Sequence, residues 1–352
     1  MSEPKKNSFH YGGQAVIEGV MMRGKHHFAV ACRRENQEVV ITAEPVEKSI
    51  LGRLNWLNKP FLRGTLAMID TMVLGMKALM FSANIAMEDA QEADAAAKEK
   101  KAPKQENQIT LEQSNDSSAN TATADKKKPV NDITLGITLF LGLAFGLVIF
   151  MYLPAAATFQ LKRFLGESRM LLTIIEGLIK ITLFLVYIWA ISRMKDIRRV
   201  FQYHGAEQKT INAYEAGEEL TVDNIDQYTT IHVRCGTSFL LVVLVTSILV
   251  FMLIPWNFNV PGWQAVLMRV GLKLLFLPIV AGIAYEVIKL AGGRKDSSVL
   301  RFVLGPGLLV QRITTQPPTR DQIEIAVEAL KSVFEQEKEL ESALDSAAET
   351  HH

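Results

Sequence analysis

The chain is short of net charge, of cysteine and of aromatic side chains, and each shortage removes a class of explanation. Its 38 lysines and arginines nearly cancel 37 aspartates and glutamates, leaving +1 over 352 residues. That balance excludes both a nucleic-acid-binding basic surface and a disordered polyelectrolyte, so no nucleic acid is expected as partner. The two cysteines, Cys32 and Cys235, lie far apart; they could pair, but a cytosolic setting favours free thiols. The N-terminus, MSEPKKNSFHYGGQ, carries no apolar run of signal-peptide type, which predicts that the first hundred residues stay in the cytosol. Residues 90–131 have no aromatic and almost no large aliphatic side chain. Such a stretch cannot bury enough surface to offset its ordering entropy and reads as a disordered linker.

What is abundant is apolar residue, 49% of the chain, gathered in long runs. Four segments, 133–158, 170–192, 237–255 and 265–290, each reach the roughly 20 residues that cross a bilayer core. Lys126, Lys127 and Lys128 precede the first, Arg193, Lys195, Arg198 and Arg199 follow the second, and Lys289, Arg294, Lys295 and Arg301 follow the fourth. By the positive-inside rule both termini face the cytosol, although Lys162, Arg163 and Arg169 argue mildly the other way. Another segment, 61–87, carries Arg63, Asp70, Lys77 and Asn84 at seven-residue intervals. Their spacing draws one polar stripe along an apolar helix, which suits an interfacial or bundle-packed helix better than a fifth span.

Residues 1–60 read as a small β-rich cytosolic subdomain. Phe28, Val30 and Cys32 alternate with Ala29, Ala31 and Arg33 as in a half-buried strand, and the polar break Glu35-Asn36-Gln37 makes a hairpin with VVITAEP. Within GGQAVIEGVMMRG, the residues Gly12, Gly13, Gln14, Glu18 and Arg23 form either a ligand-contacting loop or a set of ordinary bends. In the segment 293–352, Thr319 and Gln322 make a capping box, followed by Ile323, Val327, Leu330 and Phe334 at helical spacing. This predicts an amphipathic helix over about 320–346, whose apolar face needs either the N-terminal subdomain or a second copy. The expected fold is mainly α: a polytopic membrane protein with about four transmembrane helices over 132–292, a helix over 61–89, the β subdomain and this C-terminal helix.

The loop 195–236 gathers the chemistry. If HGAEQKTINAYE is helical, His204, Gln208 and Glu215 fall near one face with Glu207 beside them, and His232 and Cys235 stand at i, i+3. Imidazole, carboxylate and thiolate are ligands of zinc or iron; the same groups also serve as hydrogen-bonded helix caps at a membrane surface. Inside the expected membrane, Glu176 with Lys180 and Arg269 with Lys273 are one turn apart on two spans at similar depth, where isolated charges cost about 2.5–3.5 kcal/mol each. They predict either a structural ion-pair cluster or an ion path.

The blocks GGQAVIEGVMMRG, FQYHGAEQKTI, HVRCGTSF and GPGLLVQRITTQPP resemble the signature blocks of the DUF1385 family of bacterial membrane proteins, and the resemblance covers nearly all the chain apart from 90–131. It implies a metal-dependent protein of unsettled activity in the bacterial inner membrane, with His204, His232 and Cys235 as ligands of a divalent transition metal. Members often read HGAEHK and HPRCGTSF where this chain has Gln208 and Val233. Gln208 removes a fourth ligand, for which Glu207 or Glu215 would substitute or act as catalytic base. Two function classes follow: a metal-dependent, hydrolase-like enzyme at the cytosolic face, or a non-catalytic transporter or assembly factor. The expected partners are the lipid bilayer and, through the cytosolic segments, a second copy or another protein.

Overall fold

The computed structural model describes residues 11–46, 59, 62–101, 132–166, 168–255, 258, 260, 262–292 and 298–349. Four antiparallel strands, β1 (Gly12–Val16), β2 (Gly19–Arg23), β3 (His27–Arg33) and β4 (Val39–Pro45), form one sheet in the order β1-β2-β3-β4. The hairpin read from the break at 35–37 is present, with Cys32 opposite Val40. The glycine-rich stretch is a hairpin rather than a loop: Val16 pairs with Gly19 across the turn Ile17-Glu18, and Glu18 takes the left-handed conformation at φ 52°. Glycines hide a period of two because they contribute no side chain to the alternation.

The alternation in β3 is real, but neither face meets water. Phe28, Val30 and Cys32 pack with Leu74, Ala78 and Ile85 of α1 (Leu62–Lys101). Ala29 and Ala31, with Val20 and Met22 of β2, pack instead against Tyr203, Ala206 and Ile211 of α5 (Lys195–Glu215) and Ile323, Ala326 and Leu330 of α10 (Arg320–Glu349). The half-buried strand is thus a fully buried one in a three-layer sandwich. The capping box at Thr319 forms, its backbone N–H donating to Gln322 Oε1 at 3.0 Å. The apolar face of α10 is covered by the sheet of its own chain.

The apolar helices are α2 (Asp132–Leu147), α3 (Leu153–Leu165), α4 (Arg169–Ile191), α7 (Gly236–Phe251) and α8 (Gly262–Gly292), followed by α9 (Ser298–Thr314); the short α6 (Val222–Asp226) lies between α5 and α7. A π turn, Val148–Tyr152, joins α2 to α3 just before Pro154, where the missing proline N–H disrupts the α-helical ladder. Among the described residues, four helices are long and apolar enough to cross a membrane: 63–95, 140–164, 169–191 and 262–290. The number matches the expectation, but one member differs. The segment 237–255 forms only the 16 residues of α7, because Cys235 caps its start and a turn follows Phe251. In its place stands α1, which qualifies by length and composition. Its packing fits the interfacial or bundle-packed reading: Arg63 forms a bidentate pair with Glu286 on α8 at 2.8 and 2.7 Å, whereas Leu74, Ala78 and Ile85 lie under the sheet. α1 also continues to Lys101, so the linker expected from residue 90 begins with a helix; 102–131, including Lys126, Lys127 and Lys128, and Arg294 and Lys295 lie outside the described residues.

Candidate functional site

HGAEQKTINAYE is helical, and α5 runs under β1 and across the C-terminal end of α9. Gly205 is what allows this crossing, since a Cβ there would stand 2.1 Å from the Gln316 carbonyl oxygen. The close approach brings His204 Nδ1 to 2.9 Å from the Thr314 carbonyl. A carbonyl only accepts, so Nδ1 carries the proton and Nε2 presents its lone pair. That lone pair faces Cys235 Sγ at 3.2 Å and the Gln208 amide nitrogen at 3.2 Å. Cys235 caps the N-terminus of α7, with the Thr237 hydroxyl 3.5 Å from its sulfur. Burial pushes the thiol pKa up, while the Thr237 hydroxyl and the Thr237 and Ser238 N–H groups pull it down.

His232, by contrast, turns away. Its Nε2 lies 3.6 Å from Glu215, which also pairs with Arg234, and its Nδ1 accepts from the Arg234 N–H at 3.3 Å. The His232 backbone is clamped by Gln311, which accepts from its N–H and donates to its carbonyl, both at 2.9 Å. Of the three expected ligands, His204 and Cys235 therefore converge and His232 belongs to a separate Glu215–Arg234 group. Among the described residues no three His, Cys, Asp or Glu side chains gather as ligands of one ion.

Glu207 is 3% exposed and accepts from the Gln208 amide at 2.7 Å, while β1 crosses so closely that a Cβ on Gly13 would stand 2.8 Å from its Cγ. Burial pushes its carboxyl pKa up to about 7; Cys235 adds to the rise, and His204, the Gly13 N–H and Gln208 oppose it. The folded protein therefore keeps a proton on Glu207 between about 4.5 and about 7, where the unfolded chain has lost it. Stability from this group is present below that window and is lost as pH rises through it. Glu207→Gln is expected to abolish the loss, about 3 kcal/mol, seen as a flatter melting temperature between pH 5 and pH 8.

A cavity of about 400 Å³ opens over this group, lined by Gly12, Gly13 and Gln14, by Thr71 of α1, and by Phe201, His204, Glu207, Gln208, Ile211, His232 and Cys235. Glu215 is not among its lining, nor are Glu18 and Arg23. Glu18 instead pairs with Arg199 and borders a second cavity with Arg33 and Arg34. Gln208 Oε1, in the cavity wall, is buried without a hydrogen-bond partner among the described residues. Sequence reasoning missed Thr314 and Gln311, which orient His204 and His232 from α9. The signal for Gln311 was a lone amide on a largely apolar helix, whereas Thr314 acts through its backbone carbonyl, which no side-chain pattern announces.

The comparisons give this arrangement its family. The model of the family described as "Protein of unknown function (DUF1385)" matches residues 59–336. The chain belongs to that family. It is also 34% identical over 325 residues to the "Uncharacterized protein YqhQ" of Bacillus subtilis (strain 168), covering 92% of each chain. No solved structure matches.

A second polar cluster joins α4, α7 and α8. Glu176 accepts from Arg269 at 3.2 Å and from Lys273, and Arg269 also donates to the Pro255 carbonyl at 2.9 Å. Lys180 sits 5.0 Å from the Phe251 ring centroid. All four expected residues are brought together, and each is buried.

Proposed function

We propose that this DUF1385 protein is a membrane thiol enzyme of the acyl-transfer class, with Cys235 as nucleophile and His204 as its base. One observation carries the reading: Cys235 Sγ lies 3.2 Å from a His204 nitrogen whose protonation is fixed by the Thr314 carbonyl. The buried thiol rests neutral and gives its proton to Nε2 as sulfur attacks a carbonyl carbon. The Thr237 and Ser238 N–H groups in the first turn of α7, which lie toward the sulfur, would stabilise the developing oxyanion. His204 then protonates the leaving group and draws the proton from a water that cleaves the thioester. Gln208 Oε1, buried with no partner among the described residues, supplies an acceptor for that water.

The positive-inside pattern supports a site at the cytosolic face of the bacterial inner membrane. Support for both termini lying on one side comes from the sheet and α10, which share a core although they come from opposite ends of the chain.

The test is intact-protein mass after incubation with p-nitrophenyl acetate. The parent is expected to gain an acetyl group at Cys235, and Cys235→Ala to gain none. Acetylation elsewhere with Cys235 unmodified would defeat the thiol reading. So would near-stoichiometric zinc or iron that disappears in a His232→Ala, Cys235→Ser double variant, which would favour the metal-dependent reading instead.

A further inference from the structure

The cavity over Cys235 is bordered by α1 at Thr71, and α1 divides into three faces. Leu74, Ala78 and Ile85 meet the sheet. Arg63, Asp70, Lys77 and Asn84 form the polar stripe that their seven-residue spacing dictates. The third face, opposite the sheet, is apolar and exposed: Ile69, Met72, Val73, Met76 and Met80, with Met72 64% exposed. Such a stripe, three to four residues in period, is what water excludes and a bilayer accepts.

Two observations say what covers it. The N-terminal turns of α1 pack along α8, with Gly64 against Tyr285 and the Thr65 hydroxyl donating to the Pro278 carbonyl at 2.8 Å. The exposed apolar side chains of α8, among them Leu275 and Ile279, lie on a helix long and apolar enough to span. The α1 stripe thus continues a lipid-facing surface up to the rim of the cavity. Inside the rim, Phe201 and Ile211 give apolar walls that lead to the thiol.

Resting on the thiol reading above, we infer that the substrate is a long-chain acyl ester of a membrane lipid, admitted from the bilayer beside α1. Cys235 sulfur bonds to the ester carbonyl carbon as the carbon–oxygen bond breaks, and the alkoxide takes the thiol proton by way of His204. Water then adds to the thioester carbon as the carbon–sulfur bond breaks. The products are a fatty acid and the alcohol of the headgroup portion, with the thiol restored. Ester and water are the only reactants consumed.

The full-length protein is reconstituted in ether-lipid vesicles, which carry no acyl ester, and given p-nitrophenyl acetate or p-nitrophenyl palmitate. Acyl mass at Cys235 and p-nitrophenol release are followed together. The palmitoyl ester is expected to acylate Cys235 roughly tenfold faster or more, since burying two methylenes alone allows about that factor. Met72→Asp should lower the palmitate-to-acetate ratio by a similar factor, whereas Leu344→Asp, on the exposed face of α10, should leave it unchanged. Equal rates for both esters, or a high ratio that Met72→Asp does not alter, would overturn the lipid substrate while leaving the thiol reading intact. Failure of both esters to label Cys235 would bring down the thiol reading and this inference with it.

Discussion

Glu176→Gln is expected to lower stability by about 3–5 kcal/mol, a large share of what holds a domain folded. Glu176 is the carboxylate shared by Arg269 and Lys273, with Lys180 on the next turn of its own helix. The three cations are 0–7% exposed, deep in a helix interface where water cannot replace a lost counter-charge. Glutamine preserves the shape and leaves the positive charges facing one another. The measurement is the melting temperature in detergent, where a fall of several degrees is expected. Adding Lys273→Met should recover part of the loss, because it removes one of the stranded charges. An unchanged melting temperature in Glu176→Gln would show that the cluster contributes nothing to folding, and would return it to the ion-path reading.

His204→Ala is expected to slow acylation of Cys235 by about 10²–10⁴-fold, the usual worth of a positioned general base. Alanine removes the acceptor 3.2 Å from the sulfur and leaves a thiol whose pKa burial has raised, so little thiolate forms unaided. The readout is the rate of p-nitrophenol release in single turnover, with alkylation by a small neutral reagent as the control for access to Cys235. A change of less than threefold would mean that His204 plays no part in activating the sulfur. Gln208 complicates that role in an instructive way, since its amide competes with the thiol for the same lone pair. A stronger base is available to Cys235 only when Gln208 swings its donor toward Glu207, with which it already bonds at 2.7 Å.

Sequence legibility followed locality. The capping box at Thr319 and the periodic Ile323, Val327, Leu330 announced α10 because all the information lies within four turns. The β3–β4 hairpin was legible for the same reason. His204 and Cys235 were picked out as chemical types, but their pairing with each other rather than with His232 depends on α9, whose Thr314 stands 110 residues from His204. No spacing within the loop 195–236 carries that geometry. The glycine stretch left two readings open because spacing does not show that Gly13 and Gly19 serve close backbone approaches, against Glu207 and against Cys32, while Gly12, Gly13 and Gln14 also line the cavity. α7 is shorter than the apolar run that announced it, because hydropathy measures composition and the helix ends are set by a cap and a turn.

The layering of the sheet has a consequence for biosynthesis. Its first face is closed by α1, which follows directly in the chain, but its second face is shared by α5 and α10 and is complete only with α10, made some 275 residues after β4. At roughly 5–20 residues per second, a ribosome needs on the order of tens of seconds to cover that interval. Throughout it, Val20, Met22, Ala29 and Ala31 lack their final cover while the apolar helices are being handed to the bilayer. The thiol site is assembled from the same late segments, so the nascent chain carries no paired Cys235–His204 until α9 has emerged. Chaperone dependence should therefore track the length of that delay, and a chain truncated before residue 320 should be a substrate for proteolysis rather than a smaller working protein.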